Sequence, residues 1–195
     1  CCVTAQHRQM LDSVLEVFGV TPDRDLDIMT PRQTLSGITS KCLLGMDEAV
    51  GQLKPDMILV HGDTSTTFAG ALSAFYHKVP VGHVEAGLRT YDKYSPYPEE
   101  MNRKLVTTIA DLYFCPTENN WQNLLREGVT EGLFVTGNTV IDALQTTVRP
   151  DFVFTTDILN RLPYGSKKVL LVTCHRRENY GQPMENIMTA LAEIA

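Results

Sequence analysis

Continuous apolar runs alternate with stretches of helical periodicity along most of the chain. The runs at 57–60, 79–84, 112–115 and 133–136 carry few polar positions, which is typical of strands buried on both faces of a sheet. Between them, apolar residues recur every three or four positions and predict helices at 9–18, 34–53 and from about 64 to 76. Further helices are predicted after Pro98, Thr117 and Asn138. This alternation predicts an α/β fold with a doubly wound, parallel, Rossmann-like sheet.

The regular pattern weakens at 151–166, where proline, glycine and aspartate are frequent. A strong apolar run at 168–173 and a helical pattern at 184–195 follow. We therefore predict an N-terminal Rossmann-like domain at 1–150, an interdomain crossing at 151–166 and the start of a second Rossmann-like domain at 167–195. The chain opens on what resembles the tail of a strand, so we expect a fragment whose first domain lacks its first strand.

Composition narrows the possible functions. The 195 residues are 43% hydrophobic and 21% charged, as in ordinary globular proteins, and the net charge of -6 argues against a nucleic-acid partner. Five cysteines without metal-like spacing favour a reduced, cytoplasmic protein, and no apolar run is long enough to predict a membrane span or an export signal. Neither a dinucleotide-binding glycine motif nor a P-loop occurs, so neither a bound dinucleotide of the usual kind nor a P-loop nucleotide is expected. We also expect no metal, since the cysteines lack zinc-like spacing.

The connection at 81–103 carries the densest group of reactive side chains. Asp63, Glu85 and Glu99 all lie in connections that follow predicted strands, and such connections meet at the carboxyl end of a parallel sheet, where ligands bind. Each also has a structural explanation to weigh: Asp63 could cap a helix, and Glu99 and Glu100 could pair with a helix dipole. For Glu85 no capping role is evident.

Histidines and basic residues near these carboxylates have two interpretations each. His61 and His83 fit packing or hydrogen bonding better than chemistry. Arg89, Arg103 and Lys104 could either orient the carboxylates or face water. The run at 175–177, which begins at His175, could be solvated or could form an anion site.

Six strings, AQHRQML, HGDTSTT, GHVEAGLRT, SPYPEEMNRK, VTGNTVIDAL and HRREN, occur in this order and together span nearly the whole chain. The chain thereby resembles the bacterial, non-hydrolysing UDP-N-acetylglucosamine 2-epimerases. The resemblance implies two Rossmann-like domains in a GT-B-like architecture, a homodimer and no cofactor. It also implies interconversion of UDP-GlcNAc and UDP-ManNAc through elimination of UDP to 2-acetamidoglucal and re-addition, which supplies ManNAc for cell-surface polysaccharide.

The resemblance also assigns roles to residues of this chain. The catalytic positions it implies are Asp63, Glu85, Glu99 and His175, and we expect Asp63, Glu85, His175 and Arg176 to contact the substrate. An allosteric site for a second UDP-GlcNAc would use Gln6, His7, Gln9, Arg32 and Glu99. The family's first strand, its Gly-Thr-Arg-Pro-Glu loop and most of its second domain are missing here, so we expect the isolated chain to be inactive.

Three other functions are also compatible with the sequence. A hydrolysing epimerase would use the same carboxylates but release UDP and free ManNAc. A GT-B glycosyltransferase would share the fold and transfer the sugar to an acceptor. A nucleotide-sugar binding module would bind without turnover. Whatever the function, a sheet without its central strand would leave two unpaired edges, so we expect the isolated chain to associate.

Overall fold

Short strands and helices alternate along the first three quarters of the chain. A computed structural model describes residues 1–6, 8–174 and 179–194, and the chain separates into two compact units, Cys1–Val148 and Arg149–Ala195. The strands are β1 (Cys2–Val3), β2 (Arg24–Asp25), β3 (Ile58–His61), β4 (Val81–Val84), β5 (Leu112–Cys115) and β6 (Leu133–Val135). The helices are α1 (Arg8–Phe18), α2 (Leu35–Leu53), α3 (Ser65–Tyr76), α4 (Glu99–Ile109), α5 (Glu118–Arg126), α6 (Thr139–Thr147), α7 (Asp157–Asn160) and α8 (Gln182–Ile194).

The four central strands form one parallel sheet in the order β3-β4-β5-β6. The α/β fold with parallel strands is thus confirmed, and the four apolar runs give the four strands to within two residues. Helix α3 packs closely on this sheet because its inner face consists of small residues, and Ala69, Ala71 and Ala74 have no exposed surface. The core beneath it includes Val81, Val106 and Leu124.

Strands β1 and β2 form a separate parallel pair. No described strand lies between β1 and β3, although both line one cavity of about 440 Å³ together with residues of α2 and α3. Leu59, in the middle of β3, lines this cavity and is 63% exposed, which is unusual for a strand in a parallel sheet. β1 and β3 therefore each have one edge without a strand partner among the described residues.

The unit Arg149–Ala195 contains α7 and α8 and a small aromatic cluster in which Phe154 contacts Phe152 and stacks on Tyr164. The prediction of a strand at 168–173 is wrong, because the structure gives this segment no strand and leaves Leu171 93% exposed. An apolar run becomes a strand only beside a hydrogen-bonding neighbour, and the described residues of this unit include no strand that could serve. None of the described helices could cross a membrane.

Candidate active site

The loop after β3 carries Asp63, the first predicted catalytic residue. The N-cap of α3 is the next residue, Thr64, whose side chain accepts from the Thr67 N–H. Asp63 is therefore not needed as a cap, and its carboxylate, 23% exposed, is available for other contacts.

Three consecutive carbonyls of this loop are held by buried polar side chains. Thr67 Oγ1 donates to the His61 carbonyl at 2.6 Å, His83 Nε2 bonds the Gly62 carbonyl at 2.8 Å, and Asn102 Nδ2 donates to the Asp63 carbonyl at 2.8 Å. The three donors come from α3, β4 and α4, so the loop is fixed from three elements of the fold. The prediction of packing or hydrogen bonding is confirmed for His83. His61 is exposed, and its Nε2 lies within hydrogen-bonding distance, 3.4 Å, of Thr139 Oγ1.

Glu85 follows β4 and lies beside the same loop. Its φ of 67° is in the left-handed region, which is costly for a residue with a side chain and persists only where the surroundings enforce it. Gly62 is the immediate neighbour: its N–H donates to the Val84 carbonyl, and a Cβ at Gly62 would stand 3.5 Å from Glu85 Oε2. The structure thus brings the Glu85 carboxylate against the residue that precedes Asp63.

Helix α4 closes the group. Pro98 is the N-cap and Glu99 the first helical residue, half-buried at the start of the helix whose Asn102 contacts the Asp63 loop. Asp63 lies in the connection after β3, and Glu85 and Glu99 lie in the connection after β4. The three carboxylates therefore belong to two neighbouring connections at one end of the sheet, as predicted from the strand pattern. This grouping of their connections makes acid–base chemistry on a bound ligand possible.

Two side chains that the sequence left ambiguous are part of this arrangement. Arg103 donates from Nε and Nη2 to Asp63 Oδ2, at 3.0 and 2.7 Å, and from Nη1 to Glu100 Oε2 at 3.3 Å. Glu100 is fully buried and accepts from the Thr90 and Tyr91 N–H groups, so it is more than a helix-dipole partner. The spacing of Glu100 and Arg103, three positions apart on a helix, was the one sequence signal for their contact. Arg89 instead pairs with Glu127 and thereby lowers the pKa of that carboxyl.

Several predicted positions are not part of this group. His7, His175 and Arg176 lie outside the described residues. Gln6 accepts a hydrogen bond from Thr66 in the first turn of α3, whereas Gln9 and Arg32 are exposed. Within the described ranges, no group of three or more histidine, cysteine or acidic side chains could hold a metal ion.

The structure is that of a ligand-binding α/β protein, because carboxylates are grouped at the carboxyl end of a parallel sheet, where ligands of such sheets bind. The chain belongs to the UDP-N-acetylglucosamine 2-epimerase family, whose family model matches residues 1–195. It is 61% identical over 195 residues to a Clostridium acetobutylicum protein and 56% identical over 193 residues to the UDP-N-acetylglucosamine 2-epimerase of Bacillus subtilis.

Solved structures agree with this assignment. The UDP-GlcNAc 2-epimerase of Neisseria meningitidis bound to UDP-GlcNAc is 47% identical, and it matches all of this chain with a TM-score of 0.89. The chain covers 54% of that structure, and 51% and 50% of the two relatives above. It thus spans about half the length of the curated relatives it matches. The match also confirms the GT-B-like fold class predicted for this chain.

Proposed function

We propose that the protein of which this chain is part is a non-hydrolysing UDP-GlcNAc 2-epimerase that interconverts UDP-GlcNAc and UDP-ManNAc. The observation that supports it most is the packing of Glu85 against Gly62, which brings a second carboxylate beside the loop that carries Asp63. Family membership supplies the substrate class. Inversion at C2 needs proton transfer on both faces of the sugar, and a site with several carboxylates can provide it.

The reaction proceeds by elimination and re-addition. A carboxylate accepts the C2 proton, the C–H electron pair forms a C1–C2 double bond, and the C1–O bond breaks with its electron pair leaving on UDP. In the re-addition the π electron pair of the C1–C2 double bond takes a proton from a carboxylic acid on the opposite face of C2, and an oxygen of UDP supplies the electron pair of the new C1–O bond. Asp63, Glu85 and Glu99 are the proposed proton carriers. His175 and Arg176 are the proposed contacts of the departing diphosphate.

The test follows the C2 hydrogen of UDP-GlcNAc by proton NMR in D2O. It uses the protein extended to the length of its relatives, called the full-length protein below. We expect loss of the C2 signal and appearance of UDP-ManNAc, with Glu85→Gln slowing both by about 100-fold or more. The same substitution at Glu118, an exposed residue bonded to Gln122, serves as the matched control and leaves the rate unchanged. Free ManNAc with UDP would instead identify a hydrolysing enzyme, and binding without exchange would identify a transferase or a binding module.

Regulation and assembly complete the proposal. The full-length protein is a cytoplasmic homodimer that supplies ManNAc for cell-surface polysaccharide, and a second UDP-GlcNAc at Gln6, His7, Gln9, Arg32 and Glu99 activates it. Turnover of UDP-ManNAc should then require added UDP-GlcNAc. Hyperbolic turnover of UDP-ManNAc alone would contradict the activation.

A further inference from the structure

Asp63 is held at its side chain by one arginine. Arg103 directs two nitrogens, Nε and Nη2, at the same oxygen, Asp63 Oδ2, at 3.0 and 2.7 Å. This geometry differs from the usual fork, in which each nitrogen takes its own carboxylate oxygen. Oδ1 of Asp63 therefore lies outside the pair, on a side chain that keeps 23% of its surface exposed.

Arg103 is in turn fixed at its third nitrogen. Nη1 contacts Glu100 Oε2 at 3.3 Å, and the Arg103 side chain is only 14% exposed. The Glu100 carboxylate is completely buried, and its two oxygens also accept from the backbone N–H groups of Thr90 at 3.1 Å and Tyr91 at 3.0 Å. Because Glu100 is bonded to the backbone of the connection after β4, it provides Arg103 with an immobile partner.

The backbone of Asp63 is held by the same helix. Asn102, the residue before Arg103, donates from Nδ2 to the Asp63 carbonyl at 2.8 Å. Two consecutive residues of α4 thus fix the main chain and the side chain of a residue that is 40 positions away in sequence. The main chain and the side chain of Asp63 are thus both bonded to α4, and Oδ1 belongs to a carboxylate that is held at its other oxygen.

We propose that Arg103 is a positioning residue for the reaction, that Glu100 anchors it, and that together they set the place of Asp63 Oδ1 beside C2 of the sugar. The inference rests on the proposed epimerase function. Proton transfer from carbon requires the base within a narrow range of distance and angle, and misplacement by about 1 Å can lower a rate by about 100-fold. Asp63 is only one of the proposed substrate contacts, so its misplacement should lower kcat much more than it raises KM.

A second arginine pair gives the matched control. Arg89 has no exposed side-chain surface and bonds Glu127 at 2.8 and 2.7 Å, Thr107 and the Leu88 carbonyl. Its partners include no candidate catalytic carboxylate. Glu127→Gln and Glu100→Gln are therefore the same chemical change at two arginine pairs, of which only one reaches Asp63.

The experiment measures kcat, KM and C2 deuterium incorporation for UDP-GlcNAc in the full-length protein, with thermal melting of each variant. We expect Arg103→Gln to lower kcat by about 100-fold and Glu100→Gln by about 10-fold, with KM changed by less than about threefold. Arg103→Lys keeps the charge but not the two-nitrogen contact, so its kcat should lie between those of Arg103→Gln and the parent. Glu127→Gln should melt at a lower temperature than the parent but keep kcat within about twofold.

A double substitution separates positioning from general destabilisation. If Arg103 acts through Asp63, then adding Arg103→Gln to Asp63→Asn should slow deuterium incorporation by less than about threefold, because the residue it positions is already lost. Equal kcat values in Arg103→Gln and the parent, or full additivity in the double variant, would overturn the inference. If Arg103→Gln fails to fold, the test rests on Arg103→Lys: a kcat equal to that of the parent would then overturn the inference. Absence of exchange in the parent itself would instead refute the epimerase proposal.

Discussion

The buried histidine behind the candidate site leads to a quantitative prediction about pH. His83 has no exposed surface, and its Nε2 lies 2.8 Å from the Gly62 carbonyl. Since a carbonyl only accepts, Nε2 carries the hydrogen and Nδ1 is the unprotonated nitrogen. Among the described residues, Nδ1 has no hydrogen-bond partner. Protonation would therefore create a buried cation whose new N–H meets no acceptor.

The magnitude follows from the pKa. Burial is the main cause that lowers the pKa of His83 from 6.5 to about 4, with Arg89 and His61 adding to the effect and the Gly62 hydrogen bond and Asp63 opposing it. The unfolded chain then binds more protons than the folded one between these values, so stability is full above pH 6.5 and is lost as the pH falls. The loss amounts to about 2 kcal/mol at pH 5 and approaches about 3 kcal/mol near pH 4.

Two measurements check this prediction. Exchange of the imidazole C2 hydrogen, followed by mass spectrometry from pH 4 to 8, should give His83 a midpoint below pH 5. Urea unfolding at pH 7.5 and pH 5 should then compare the parent with His83→Gln, which keeps an amide donor for the Gly62 carbonyl but does not titrate. The difference between the two proteins should change by about 2 kcal/mol in favour of the variant at the lower pH. A midpoint near 6.5, or parallel pH dependences, would refute the reasoning.

Two further predictions concern the framework. Gly87→Ala should lower the free energy of unfolding by more than about 3 kcal/mol, because a Cβ there would stand 2.2 Å from the Asn120 carbonyl oxygen. Gly128→Ala, also at positive φ but with no atom within 4 Å, should cost only about 1 kcal/mol, and equal urea midpoints for the two variants would contradict this. The unpaired edges of β1 and β3 should make the isolated chain self-associate, and a concentration-independent monomer in sedimentation velocity would exclude that.

The strands could be predicted because burial on both faces leaves a continuous apolar run, as in β5. Strand β2, Arg24–Asp25, could not be predicted, because it is short and charged and is defined only by its pairing with β1. The segment 168–173 fails for the opposite reason, since its composition suits a strand but no described strand pairs with it. The local sequence pattern thus identifies strands inside a sheet. Whether any other segment forms a strand depends on whether a neighbouring strand pairs with it.

The carboxylates could be predicted from their positions after strands, but the groups that hold them could not. The sequence left Arg103 either orienting a carboxylate or facing water, and only the fold brings it to Asp63, 40 positions earlier. Glu100 has the same limitation, because its role depends on the Thr90 and Tyr91 N–H groups. Contacts between residues that are far apart in sequence produce no periodic pattern, so they cannot be predicted from a single sequence.

The buried polar side chains indicate why the candidate site can be specific. A polar group buried without a partner destabilises a fold, so buried polar residues are retained where they make bonds. Here the buried side chains of Thr67, His83 and Asn102 each bond one carbonyl of the loop from His61 to Asp63. Because the donors come from three different elements, the loop cannot shift without breaking a buried hydrogen bond in the domain. The backbone that carries Asp63 is therefore ordered before any ligand arrives, and binding need not supply the free energy to order it.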